Sequence, residues 1–116
     1  MNTLKKGKIS SSDPIDRLIF EKGLRIKYVM PIKDLDLLLV VLNNRTVLKA
    51  NISDYERLKK AKKEQLNKWE LTGGGIGVHW SELDEDLSAK GFIKNALERD
   101  LIHRLEKKDD IRGVIV

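Results

Sequence analysis

The residues best equipped for chemistry cluster just past the middle of the chain. His79 is followed by Glu82, Asp84, Glu85 and Asp86, one imidazole and four carboxylates within eight residues. Imidazole and carboxylate oxygens are competent metal ligands. Carboxylates beside a histidine also suit general acid–base work, provided a cleft shifts their pKa values. The spacing lacks the alternating ligands and central glycine of a calcium loop, and the second histidine, His103, falls on a later helical segment. A charge run is ordinarily a solvated surface. We therefore read Glu82–Asp86 as an acidic turn that caps the last helix and pairs with lysines, and assign no metal site.

The stretch Gly73-Gly74-Gly75-Ile76-Gly77 has the composition of a phosphate-binding loop. Such a loop, however, needs a lysine and a hydroxyl opening a helix, or glycines placed between a strand and a helix. Neither context is present, so these glycines read as a strand bend or a close backbone approach. With no cysteine in the chain, thiol nucleophiles, thiolate zinc sites and disulfides are excluded. There is no serine–histidine–acid set with distinctive neighbours and no nucleophile elbow. The expectation is a protein that is not an enzyme and carries no cofactor.

The formal net charge is +5, and it is unevenly spread: residues 56–68 hold six lysines and arginines against two glutamates. Arg57, Lys59, Lys60, Lys62, Lys63 and Lys68 would form a basic face able to touch phosphates without reading bases. The competing reading is an amphipathic helix kept soluble by lysine.

These groups need a scaffold, and the pattern supplies one. Asp13-Pro14 starts a short helix ended by Gly23, with Ile15, Leu18 and Ile19 as its apolar stripe. From Leu24 the period becomes two. Leu24, Ile26, Tyr28, Met30 and Ile32 should face the core in a strand that ends, or lies at an edge, near Pro31. Leu37–Leu42 is apolar on both faces and should be central. Asn43-Asn44-Arg45 turns it into a strand over Thr46–Ile52. Ser53 and Glu56 form a capping box that opens a helix over 54–68. A glycine-bent strand then ends at His79-Trp80, and a long helix runs from Leu87-Ser88 to about Lys107 with Phe92, Ile93, Ala96, Leu97, Leu101 and Leu105 on one stripe. The fold class is thus α+β: a short N-terminal helix, one small, mainly antiparallel sheet of about four strands, a capping-box helix between strands three and four, and a long C-terminal helix. Residues 1–12 read as a flexible basic arm, 13–108 as a single domain and 109–116 as an apolar tail. The basic start has no apolar stretch behind it and no run is long enough to cross a bilayer, so a cytoplasmic protein is expected.

The segment from Gly77-Val78-His79-Trp80 to Asp84-Glu85-Asp86-Leu87-Ser88 resembles the closing motif of the bacterial family called domain of unknown function 2442. The strand pair over 36–51 and the helix after it resemble the family's order of elements, so the likeness spans about residues 24–93. It implies a compact α+β domain. Members are often encoded beside another small protein, which implies a toxin–antitoxin association; the family implies no catalytic residues. The helix before the first strand and the long helix and tail after the motif depart from its short form.

Two functional readings follow. The first is a non-catalytic, antitoxin-like or accessory module that binds another small protein, with Trp80, Glu82, Asp84, Glu85 and Asp86 as contacts. The alternative is a nucleic-acid-associated regulator using Arg57, Lys59, Lys60, Lys62 and Lys63. Self-association through the last helix is a further expectation.

Overall fold

The computed structural model describes residues 12–110. Residues 1–11 of the expected arm and 111–116 of the expected tail lie outside the described residues. Helix α1 (Pro14–Phe20) starts as its sequence requires: the Asp13 carboxylate accepts from the Ile15 N–H at 2.9 Å, and Pro14 occupies the first turn, where no amide donor is needed.

Strands β1 (Ile26–Ile32), β2 (Leu37–Leu42) and β3 (Val47–Asn51) form a three-stranded antiparallel sheet with β2 in the middle. The β2–β3 hairpin turns at Asn43–Arg45, and Arg45 takes the left-handed conformation such a turn demands (φ 73°). Pro31 is accommodated because β1 is an edge strand. One expectation fails here. Ile26 pairs with Leu42 but Tyr28 pairs with Val41, so Lys27 is an extra residue and β1 carries a bulge. The bulge shifts the two-residue period by one. Val29 is consequently buried, while Tyr28 and Met30, expected inside, face outward.

The expected continuous helix over 54–68 is two single turns, α2 (Glu56–Lys59) and α3 (Lys63–Leu66). The Ser53–Glu56 capping box is absent because Ser53 is already engaged: its hydroxyl and its N–H both donate to the Asp36 carboxylate, at 2.6 and 2.8 Å. Past α2, the Ala61 carbonyl accepts from Lys33 Nζ at 2.5 Å, and Lys62 is extended, its N–H donating to Gln65 Oε1 at 2.9 Å. Broken this way, the segment still buries Leu58, Ala61 and Leu66.

A second three-stranded antiparallel sheet follows: β4 (Trp69–Thr72), β5 (Gly77–Trp80) and β6 (Glu85–Ser88). There are thus two sheets of three strands instead of one of four. The glycines form the β4–β5 turn, with Gly73, Gly74 and Gly75 all at positive φ. Glu85-Asp86-Leu87-Ser88 pairs with β5 and is a strand, so the acidic segment does not cap the last helix; α4 (Ala89–Asp110) begins only after it. Val29, Leu38, Val40 and Leu42 of the first sheet, Val78 and Trp80 of the second, Leu58 and Leu66, and Ala89, Phe92 and Ile93 of α4 share one core. Lys90 fastens α4 to α1 through Asp13 and Asp16, each at 2.9 Å. No helix among the described residues is long and apolar enough to cross a membrane.

Asp36, at the left-handed entry to β2 (φ 52°), carries a testable consequence. The Ser53 hydroxyl holds its carboxyl below the ordinary 3.8, helped by the Ser53 N–H and the Asn51 amide. A depressed carboxylate stabilises the fold above its unfolded pKa, and that contribution is lost as pH falls through the folded value. Ser53→Ala should therefore raise the Asp36 titration midpoint followed by carboxyl NMR and make this part of the acid loss begin at higher pH. An unmoved midpoint would show that the hydroxyl does not set it.

Candidate functional site

The β5–β6 hairpin assembles the residues singled out above. In an antiparallel ladder, alternate side chains take opposite faces. Glu70, His79 and Asp86 are in register across the three strands on the outward face, whereas Trp69, Val78, Trp80 and Leu87 turn inward. His79 Nδ1 lies 2.7 Å from Asp86 Oδ1, which fixes the ring against the edge strand. At the hairpin tip Asp84 has φ 50°, and Arg57 hydrogen-bonds both its backbone carbonyl and, at 3.4 Å, its carboxylate. Lys68 meets Glu82 at 2.8 Å and holds that carboxyl below its usual range, while Glu82 raises the lysine. Trp80, expected among the contacts, is wholly buried and donates its indole N–H to the Leu66 carbonyl at 2.9 Å; it supports the hairpin from beneath. Glu82 and Asp84 are exposed at the tip, Asp86 is exposed on the edge strand, and Glu85 is half-buried.

The chemistry available here is ionic recognition. Among the described residues no group of three or more histidine and carboxylate side chains is arranged as metal ligands. The His79–Asp86 pair has no nucleophile bonded to it among the described residues.

The basic residues do not form one helical face. Arg57 and Lys68 are joined to the acidic hairpin, and Lys60 pairs with Glu56 at 3.1 Å one turn back. Lys59, Lys62 and Lys63 are exposed and make no ion pair among the described residues. The break between α2 and α3 separates Lys59 from the other two.

A third surface was not expected from the sequence. The bulge in β1 brings Tyr28, Met30 and Ile32 onto the same outer face as Leu37, Leu39 and Val41 of β2 and Val47 of β3. Tyr28, Met30 and Val47 are 50%, 44% and 50% exposed, and the β2 residues between them lie outside the core cluster. Lys49 and Asn51 are the polar residues in register with them. Trp69 closes one side, its ring meeting Tyr28 edge-on at 5.2 Å. The signal was present: Leu37–Leu42 is apolar on both faces, yet the helical segments bury only one of them.

These features define a class: a small α+β domain of two antiparallel three-stranded sheets sharing one core, with an acidic hairpin, an open apolar sheet face and a long closing helix. The chain belongs to the family described as "Protein of unknown function (DUF2442)", whose model matches residues 26–98. Helix α1 and the distal part of α4 lie outside that match. Among solved structures, the crystal structure of a protein of unknown function from Rhodospirillum rubrum is 27% identical with a TM-score of 0.56, covering 63% of this chain and 88% of its own. The solution NMR structure of an uncharacterised protein from Chromobacterium violaceum is 24% identical with a TM-score of 0.58, covering 81% and 85%; that likeness is one of fold. No curated protein matches the chain.

Proposed function

We propose that this chain is a non-catalytic binding module that acts in the cytoplasm by occupying a partner protein, and that the outer face of its first sheet is the contact. The observation that carries this reading is the apolar character of that face, where Tyr28, Met30, Leu39, Val41 and Val47 stand together with little polar relief. Contiguous apolar surface on a soluble domain marks an interaction site more often than a bystander. Burying such a face contributes roughly 25 cal/mol per Å² of apolar area removed from water, which an isolated sheet face in solvent forgoes. Glu82, Asp84, Glu85 and Asp86 on the β5–β6 hairpin would select a partner with a basic rim, acting on encounter rate more than on affinity. An accessory or antitoxin-like role is consistent with the family's resemblance, and the partner would then be another small protein.

A nucleic-acid-associated role remains the second reading, favoured by one observation: Lys59, Lys62 and Lys63 stay exposed and without an ion pair among the described residues. Lysines of this kind would contact phosphates with steep salt dependence and little sequence preference.

One experiment separates the two. The tagged chain and its Leu39→Glu variant are purified from the native host at low salt, with and without nuclease, and their companions identified. A stoichiometric protein that survives nuclease and is lost with Leu39→Glu, while the thermal unfolding of the variant moves little, is the expected result. Material lost on nuclease treatment or at raised salt, and retained by Leu39→Glu, would transfer the function to the lysines.

A further inference from the structure

We infer that the occupant of the first sheet's outer face is an acidic amphipathic helix of the partner protein, lying along the strands with its apolar stripe on Met30, Leu39 and Val41. This rests on the reading that the face is the contact, and it adds the shape and the charge of what binds there.

The shape follows from the size of the face. Neighbouring strands stand about 4.8 Å apart, so β1 and β3 are separated by about 10 Å, and an α-helix with its side chains is about 10–12 Å across. The outward positions form three rows, Tyr28–Val41–Val47, Met30–Leu39–Lys49 and Ile32–Leu37–Asn51. Alternate residues of a strand are about 6.7 Å apart, so the rows span about 13 Å, the length of about nine helical residues. An apolar stripe at i, i+3, i+4 and i+7 covers that length. Trp69 closes the β1 side, where its ring meets Tyr28 edge-on. A second sheet laid on this face would have to extend past that wall, whereas a single helix fits inside it. Helix on sheet is also one of the standard ways in which an apolar sheet face is buried.

The charge follows from what surrounds the rows. Lys49 lies in the middle row on β3, Lys27 is the bulge residue beside Tyr28, and Arg45 stands in the β2–β3 turn at the same end. All three are exposed and make no ion pair among the described residues. At the opposite end, in the connection from β1 to β2, Leu35 is 68% exposed and adds apolar surface. Carboxylates are fewer there: Asp34 is exposed, and Asp36 is held by Ser53 and Asn51. The acidic hairpin belongs to the second sheet and addresses a different part of the partner; its Glu82 and Asp84 are already met by Lys68 and Arg57. The free charge around the face is therefore mainly positive, and carboxylates along the flanks of a helix complement it. A second copy would instead bring the same cations to the seam from both sides, with net repulsion.

The test uses a displayed library of helical peptides about 18 residues long, with leucine fixed at i, i+3, i+4 and i+7 and glutamate or lysine varied on the flanks. It is selected at low salt on the full wild-type chain, on Leu39→Glu, on Met30→Glu and on Lys27→Glu/Lys49→Glu, with the unfolding midpoint of each measured. Wild type should enrich glutamate-flanked peptides that bind about tenfold more tightly than their lysine-flanked counterparts, as three exposed ion pairs allow. The preference should shrink as salt is raised. Leu39→Glu should retain none of these peptides; Met30→Glu, on the edge strand, makes the same test if the central-strand variant unfolds. Lys27→Glu/Lys49→Glu changes only exposed side chains and should enrich lysine flanks instead. Three outcomes overturn the acidic helix while leaving the face as the contact: no enrichment, peptides that need Leu39 and Met30 but ignore flank charge, or a wild type that sediments as a dimer dissolved by Leu39→Glu. Enrichment untouched by both apolar-face variants would remove the face as the contact, and the helix with it.

Discussion

Trp80→Ala is expected to lower the unfolding free energy by about 3–5 kcal/mol, the range for removing a large buried aromatic side chain. Trp80 is fully buried where β5 meets the core and is the largest side chain with essentially no exposure. Two separate losses add. One is the cavity, which the neighbours Val78 and Leu66 can only partly collapse into. The other is the hydrogen bond from the indole N–H to the Leu66 carbonyl, 2.9 Å long and within the core. Trp80→Phe isolates the second, since it keeps most of the volume but leaves a buried carbonyl unpaired, at about 1–3 kcal/mol. Because domains of this size are stable by only about 5–15 kcal/mol, the alanine variant should be near its folding limit. Urea unfolding of the three proteins, followed by circular dichroism, reads both steps. An alanine variant within about 1 kcal/mol of wild type would mean that Trp80 is not the keystone its burial implies.

Gly75→Ala should be nearly as damaging, for a reason located entirely in the backbone. Gly75 sits at φ 111°, and an added Cβ would lie 2.4 Å from the Ile26 carbonyl oxygen. Its own carbonyl accepts the Ile26 N–H at 2.8 Å, so the glycine turn is pressed against the start of β1. Strain of about 1–3 kcal/mol from the disallowed φ is joined by a clash that neither backbone can relieve without giving up that bond. The neighbouring Gly74 provides the control. Its φ is 67° and the space around its Cβ direction is empty, so Gly74→Ala should cost only about 1 kcal/mol. Equal losses at both positions, measured by thermal unfolding, would remove the close approach as the explanation.

What the sequence made legible divides by how local the cause is. Asp13-Pro14 and the Asn43–Arg45 hairpin are each determined by residues a few positions apart, and they appear where they were read; the last helix also forms, but from Ala89, and only the proximal part of its expected stripe, Phe92 and Ile93, is buried. The motif Gly77-Val78-His79-Trp80 pointed to the family, and its tryptophan proved to be packing. Three features escaped because their causes are distant in the chain. The bulge at Lys27 exists only relative to β2, and no residue near it announces it. The break in 54–68 follows from Asp36 capturing Ser53 and Lys33 capturing the Ala61 carbonyl, partners seventeen and twenty-eight residues away. Strand β6 is written in Glu, Asp, Leu and Ser, with no β-branched or aromatic residue and two strand-depleted acids, and pairs because β5 is already beside it. The same causes governed the site. The acidic residues share one hairpin, as a strand and its tip where a helix-capping turn was expected, and the apolar face depends on the bulge.

The connectivity of the two sheets bears on how the chain reaches this state. Every strand pairs with its neighbour in sequence, β1 with β2 and β2 with β3, then β4 with β5 and β5 with β6. Each closure spans a short loop, so little chain entropy is lost before a ladder begins to reward it. The long-range event is the meeting of the finished sheets, marked by the bond from the Ile26 N–H to the Gly75 carbonyl. The topology thus predicts that docking of two locally formed meanders sets the folding speed, with the glycine turn as the seam at which they meet.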